Sequence, residues 1–442
     1  MDDDGYSEHT SVDELVRTSN ASLVEATRSI LQQQQSHRQH TIEHLSIAFY
    51  LMDESIDIVH AVDKTIANQK ILTSSFTIIR PDEGLIMDYG VEVDYDAAAA
   101  MLAYGRRLMT FLGAYPRAFG GLTDLTLDGI GFDEPDMLHA VLSTCKKPEC
   151  LTLENCHIGL RWSVLQIRHP ELVELSITTC DFERVRLEWL PRLTYFSCRY
   201  WPASQDRYPL SIGHVPQLQT LVLVKEGTIL DKSLKLSEFL GTASIVELDL
   251  DFQSERIWIQ PESSKRLASV LRNLLVVKLS CIYEECGIAW TLFFLEAAPL
   301  LKELNIQVWD HTFCCYDYAY EVFDEEQEYM LRFETLRELY RKESGILKWE
   351  ANGGFQHYNL TSLTIEGFQL EETFMAHIRH VMEAAVNLEA VSLLQSRECP
   401  RCMCRPNSAM YPRTAEKRGH VTKQISDWRS SPIRIDFGVS SV

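Results

Sequence analysis

The sequence is short of positive charge, of long apolar runs and, in its first residues, of the basic and apolar stretches that mark a leader. Lys and Arg number 42 against 63 Asp and Glu, a formal charge of −21. Phosphate backbones and anionic membrane surfaces are held mainly by clustered Lys and Arg, so neither nucleic acid nor a membrane is expected as a primary partner. No stretch reaches the roughly 18 apolar residues of a spanning helix. The best, Trp290 to Leu301, is broken by Glu296 and Pro299. The N-terminus, MDDDGYSEHTSVDEL, has neither a basic region nor an apolar core of a signal peptide. The 12 cysteines are therefore read as reduced thiols and the sequons at Asn20 and Asn359 as chance matches, in a cytoplasmic or nuclear protein. With 20 Gly and 15 Pro the composition is that of a folded chain, neither collagenous nor low-complexity.

Catalytic signatures are missing too. There is no GxxxxGK[ST], no GxGxxG after a strand, no GxSxG and no HExxH, and no cofactor is implied. Trp309-Asp310-His311 sets an acid beside an imidazole, but neighbours on a strand point to opposite faces. No enzyme is expected.

What the sequence has is a period. Apolar-x-x-apolar-x-apolar recurs at Leu122/Leu125/Leu127, Pro148/Leu151/Leu153, Leu172/Leu175/Ile177, Leu193/Phe196/Cys198 and Leu218/Leu221/Leu223. It continues at Ile245/Leu248/Leu250, Leu274/Val277/Leu279, Leu301/Leu304/Ile306, Leu360/Leu363/Ile365 and Leu388/Val391/Leu393. Successive starts lie 21 to 29 residues apart, except for one gap of 59. Upstream, Ile42/Leu45/Ile47 fits well and Thr73/Phe76/Ile78 loosely. These are leucine-rich repeats. Alternating apolar residues make a short strand with one buried face, and the following residues return the chain over the outer side, often as a helix such as Glu372 to Ala385. One unit cannot bury its apolar face alone, so neighbours stack. The expected fold class is α/β, a leucine-rich-repeat solenoid with a curved parallel sheet on the concave side and helices and loops on the convex side. Twelve strands would span roughly 50 Å at about 4.8 Å each.

Residues 1–40 are expected to form a helical cap or linker, 41–395 the repeats, and 396–442 a Cys-containing loop with a capping helix and strand. Two insertions, at about 80–119 and 307–359, interrupt the period; the second holds DYAYEVFDEEQE, six acids without a base. Cys156 and Cys180 fall three residues after Leu153 and Ile177, where such repeats take Asn or Cys to meet turn backbone. Between Arg401 and Asp436 the charge turns positive, eight Lys or Arg against three acids.

Two sites compete for attention. Residues two, four and six places after the first apolar position of each unit point away from the core. The acids there are Asp124, Asp128, Glu154, Glu174, Glu247, Asp249, Asp251, Glu303 and Glu366, against Arg199 and Lys278. They predict a negative concave face that steers a basic segment of a target protein. The second site is Cys399-Pro-Arg-Cys402-Met-Cys404, three thiols with Cys314, Cys315, His311 and His357 as distant candidates. A structural zinc takes four ligands, usually as two spaced pairs, and a second pair is not evident, so no metal is assigned.

Longer segments carry a resemblance: LVELSITTCDFE, SERIWIQPE, FFLEAAPLLKELNIQVWDH, LTIEGFQLEETFMAHIRHVMEAAVNLEAVSL and YPRTAEKRGHVTKQI. Over roughly residues 40 to 436 the chain resembles the repeat region of plant, especially grass, F-box proteins with an FBD-like C-terminal section. The resemblance implies a substrate-recognition region of a cullin–RING ubiquitin ligase, in which the F-box docks on a small adaptor and the repeats hold the target. The Leu-Pro-containing F-box helix is not found in residues 1–40, and Ser22 to Leu31 looks like the linker helix that follows it. The F-box is then expected upstream, and adaptor docking is carried over to no residue here. A member without an F-box would instead act as a scaffold or competitor on the same target.

Overall fold

The computed structural model describes residues 12–35, 41–68, 70–81, 95–159, 164–200, 210–225, 233–241, 243–309, 354–397, 410–427 and 433–440. It falls into two units, residues 1–202 with 209–215, and 203–208 with 216–442.

In the first unit, helix α1 (Val12–Gln35) precedes strand β1 (Ile42–Tyr50), helix α2 (Ile56–Asn68) and strand β2 (Ile71–Ile79). Strands β3 (Asp124–Asp128), β5 (Cys150–Glu154), β8 (Glu174–Thr178) and β10 (Tyr195–Arg199) follow, all parallel and in the order β1-β2-β3-β5-β8-β10. Between them lie a two-residue strand β4 (Gly131–Phe132), helix α5 (Pro135–Thr144) and β6 (His157–Ile158). A second parallel sheet is formed by β7 (Val164–Arg168), β9 (Arg184–Trp189) and β11 (Leu210–His214), in the order β11-β9-β7.

The period is the cause of the stack. Leu125 pairs with Leu151, Leu151 with Leu175 and Leu175 with Phe196; two places on, Leu127, Leu153, Ile177 and Cys198 align likewise. All eight are buried, each contributing about 1.5–3 kcal/mol if large and fully removed from water. The residues that follow the strands, Gly129, Asn155, Thr179 and Tyr200, all take left-handed backbone, and the first three donate their N–H to the end of the next strand. Cys156 and Cys180 do what their spacing predicts. The Cys156 thiol donates to Leu127 O and Glu154 O and that of Cys180 to Leu153 O and Thr178 O, while Cys156 N–H reaches Cys180 Sγ at 3.3 Å.

Two sequence expectations shift. In β1 the residues aligned with Phe76 and Ile78 are Ile47 and Phe49, two places later than the expected triplet. β1 and β2 run nine residues each; only the later half of β2 pairs with β3, and only the later half of β1 beside it is buried, so Leu45 stays half-exposed. The interval between β2 and β3 is also helical over α3 (Tyr95–Ala114) and α4 (Pro116–Gly120). Helix α3 lies backbone to backbone on β4: a Cβ at Gly105 would stand 1.8 Å from Gly131 O.

In the second unit, β12 (Thr220–Val224), β13 (Glu247–Asp251), β14 (Val276–Tyr283), β15 (Glu303–Trp309), β16 (Ser362–Glu366), β17 (Ala390–Gln395) and β18 (Arg434–Val439) form a parallel sheet in sequence order. Short helices, the helix Glu372–Ala384 and the helix Ala415–Ser426 return the chain. Aromatic rings fill the layer behind the strands, with Phe252 edge-on to Trp290 and Phe293 stacked on Phe294 at 4.1 Å. Gly367 (φ +78°) is the one residue that fits after β16, since a Cβ would meet Val308 O at 2.0 Å. No described helix is long and apolar enough to cross a membrane.

Candidate protein-binding face

Strand alternation sends one side chain into each unit's core and the next to the face that the helices leave open. All nine acids named from the sequence sit on strands, at half-exposed or exposed positions. Register then decides which of them meet.

In the first unit the open face has three rows across the strands. Asp124, Cys150, Glu174 and Tyr195 form one, with Cys150 directly between the two acids. Thr77, Thr126, Thr152 and Ser176 form a row of half-exposed hydroxyls that ends at the buried Ser197. Asp128, Glu154, Thr178 and Arg199 form the third. Asp128 and Glu154 are direct cross-strand neighbours of like charge. Asn155 Nδ2 donates to Asp128 Oδ1 at 2.8 Å, and Glu154 is held above the usual carboxylate range by burial and then by the Asp128 charge. The Cys150 thiol is pushed up to about 12, by burial first, then by its hydrogen bond with Asp124 and the charges of Glu174, Asp124 and Glu149. That thiol is inert at neutral pH; reactivity needs the thiolate. Arg199 is the one Lys or Arg on the described strand positions of this face, and its Nε donates to Ser197 Oγ.

In the second unit four of the five named acids are engaged, while Glu366 stands opposite Gln307 of β15. Lys278 Nζ contacts Glu247 Oε1 at 2.6 Å across β13 and β14. Its pKa is raised by that hydrogen bond first, with the charges of Glu247, Asp249 and Glu303 adding. One ammonium thus faces three of the named carboxylates. Asp251 accepts Gln253 N–H at 2.8 Å and so fixes the turn after β13. β18 adds a pair that the sequence reading assigned only to a cap: Arg434 and Asp436, bridged at 2.8 Å and well exposed.

His357 is not a free ligand. Its Nδ1 accepts the N–H groups of Leu360 and Asn359, which leaves Nε2 to donate to Ala298 O at 3.0 Å. His169 has the same office in the first unit, with Nδ1 accepting from Glu171 N–H and Nε2 donating to Cys145 O. Both lie three residues before a repeat's first leucine, Leu172 or Leu360, a spacing legible in the sequence once its use is known. Burial lowers the pKa of both, so they are neutral struts between turns. Cys399, Cys402, Cys404, His311, Cys314 and Cys315 lie outside the described residues. Among the described residues no group of three or more His, Cys, Asp or Glu is placed to hold a metal.

Comparison with known proteins agrees with this geometry. Residues 100–306 match the family model described as the leucine-rich repeats of the FBD-associated F-box protein At5g56370. No curated protein matches the chain at a significant level. One similar solved structure, titled "Structure of the Toll - Spatzle complex, a molecular hub in Drosophila development and innate immunity", shares 10% identity. That likeness covers 81% of this chain and 59% of the other with a TM-score of 0.21, too slight to bear on function. In-register strands of the apolar-x-x-apolar-x-apolar repeat, with the family match running from β3 into β15, make this a leucine-rich-repeat protein of the α/β class.

Proposed function

We propose that the chain is a non-catalytic recognition module that holds a protein target on the open strand face, as the substrate-recognition region of an F-box ubiquitin-ligase receptor does. The observation that carries this reading is the row structure of the first unit. Asp124, Glu174, Asp128 and Glu154 flank a stripe of Thr and Ser hydroxyls, with Arg199 alone as counter-charge on those strands. A target segment with Lys or Arg on both sides of a polar centre complements it, and repeat proteins bind through such extended faces. The family match supports a role beside an F-box; recruitment of a cullin–RING adaptor belongs to an F-box and is assigned to no residue of this sequence.

The test is affinity purification of tagged full chain from plant extract, followed by binding of the retained protein to variants. Glu154→Lys with Glu174→Lys is expected to weaken the complex at least about tenfold and to flatten its salt dependence. Unchanged affinity and salt slope refute the acidic face. Asp249 and Asp251 are the poorer positions for reversal, because one lies beside Lys278 and the other fixes a turn. Stoichiometric adaptor in the eluate supports the receptor reading; a retained target without adaptor supports a scaffold or competitor.

A further inference from the structure

The last strand of the second unit ends its sheet differently from the strands before it. The paired apolar residues of β15, β16 and β17, such as Ile306, Leu363, Ile365, Val391 and Leu393, are fully buried. Their counterparts on β18, Ile435 and Phe437, are only half-buried, and Val439 is 62% exposed. Among the described residues β18 pairs on one side alone. The N–H groups of Arg434 and Ser440 donate to Glu389 and Gln395 on the β17 side. By strand alternation, Ile435, Phe437 and Val439 therefore direct their N–H and C=O groups to the free edge. At the outer edge of β1, by contrast, the Asn20 side chain meets both backbone groups of Tyr50.

We propose that this edge is an interface for a second copy of the chain, joined by antiparallel pairing of β18 with β18 about a two-fold axis at Ile435. The sequence Ile433-Arg434-Ile435-Asp436-Phe437 is self-complementary in that register. Ile435 faces its own mate and Ile433 faces Phe437, all through outward backbone groups, so these are hydrogen-bonded pairs. Arg434 of each copy then stands opposite Asp436 of the other, in the non-hydrogen-bonded sites where side chains approach most closely. Neighbouring registers fail on charge. A shift one way centres the axis on Asp436 and opposes two carboxylates; a shift the other way centres it on Arg434 and opposes two guanidinium groups. The pairing also covers more of Ile435 and Phe437, which stay half-exposed although Arg418 of the helix Ala415–Ser426 lies over the Phe437 ring at 5.5 Å, and is isologous, so it closes at two copies. Arg434 and Asp436, bridged to each other in the single chain, exchange partners across the axis.

Sedimentation equilibrium of the full chain, over protein concentrations from about 1 to 200 μM, spans the weak-to-moderate affinities such a small contact supports. Wild type is expected to show a monomer–dimer equilibrium. Asp436→Arg opposes two Arg pairs and is expected to raise the dimer Kd at least about tenfold. The double variant Arg434→Asp with Asp436→Arg restores opposite charges in the same register and is expected to return within about threefold of wild type. Ile435→Pro removes the outward N–H donor at the axis and is expected to abolish the dimer. A chain monomeric throughout, or a dimer indifferent to Asp436→Arg, overturns the proposal. So does a double variant no better than the single.

Discussion

Asn20→Ala gives the most direct test of how the first strand is held. Leu51 N–H donates to Ile79 O on β2, so the N–H and C=O of Tyr50 point to the outer edge of β1. The Asn20 amide, 1% exposed, takes both: Nδ2 donates to Tyr50 O at 2.8 Å and Oδ1 accepts Tyr50 N–H at 3.2 Å. Nδ2 also reaches Ser55 Oγ at 3.1 Å. Truncation does not cost three full hydrogen bonds, because Tyr50 O keeps the donors Ser55 Oγ and Met52 N–H. The orphan is Tyr50 N–H, and an unsatisfied buried donor costs about 1–3 kcal/mol. A small cavity adds to that, for an expected loss of about 2 kcal/mol. Asn20→Asp is expected to lose more, since its carboxylate accepts the N–H but meets Tyr50 O as a buried anion. Urea denaturation followed by circular dichroism reads the total, and amide exchange reads its place. Protection at Tyr50 should fall by about thirtyfold, while β16 and β17 hold theirs. A loss under about 0.5 kcal/mol, or an Asp variant at least as stable as the Ala variant, refutes the reasoning. The same burial makes Asn20 a poor acceptor for glycan.

Three further outcomes are expected. His377 is buried in the helix Glu372–Ala384, and burial, with His380 one turn on, lowers its pKa to about 3. The unfolded chain therefore binds a proton below about pH 6.5 that the native state refuses, and stability falls between pH 6.5 and about 3. At pH 5 the cost is about 2 kcal/mol, and His377→Leu should flatten the pH dependence of the urea midpoint; an unchanged slope refutes it. His357→Phe removes the acceptor for two N–H groups and the donor to Ala298 O, and is expected to cost about 2–3 kcal/mol by urea denaturation. Cys156→Ala and Cys150→Ala should differ. The first removes a thiol that bonds two carbonyls and receives no solvent, for about 1–2 kcal/mol; the second stays within about 0.5 kcal/mol because its half-exposed thiol has only the hydrogen bond with Asp124, which water can replace. Equal effects would refute that division of roles.

The repeat period by itself determined the parallel strands of the main sheet, which of their apolar residues are buried from β2 to β17, the turn role of Cys156 and Cys180, and the charge of the open face. Each of these follows from alternation within a strand or from spacing between strands, and both are written in one dimension. The period misplaced the buried pair of β1 by two positions and did not reveal the sheet β7-β9-β11. Only the tertiary structure decided register and partnership. Whether Asp128 stands beside Glu154 or beside a lysine depends on strand alignment across 25 intervening positions, and the gathering of Glu247, Asp249 and Glu303 around Lys278 depends on alignment in the same way. Nor does local pattern reveal that Asn20 closes a strand edge, or that His357 bonds Ala298 across 59 residues. A side chain's charge can be read from its letter, whereas its neighbour is fixed by packing that joins distant parts of the chain. Strand β1 of the first unit and strand β18 of the second show the difference. An amide from a preceding helix meets the edge at β1, while β18 keeps the alternating Ile-Arg-Ile-Asp-Phe row whose complement is itself.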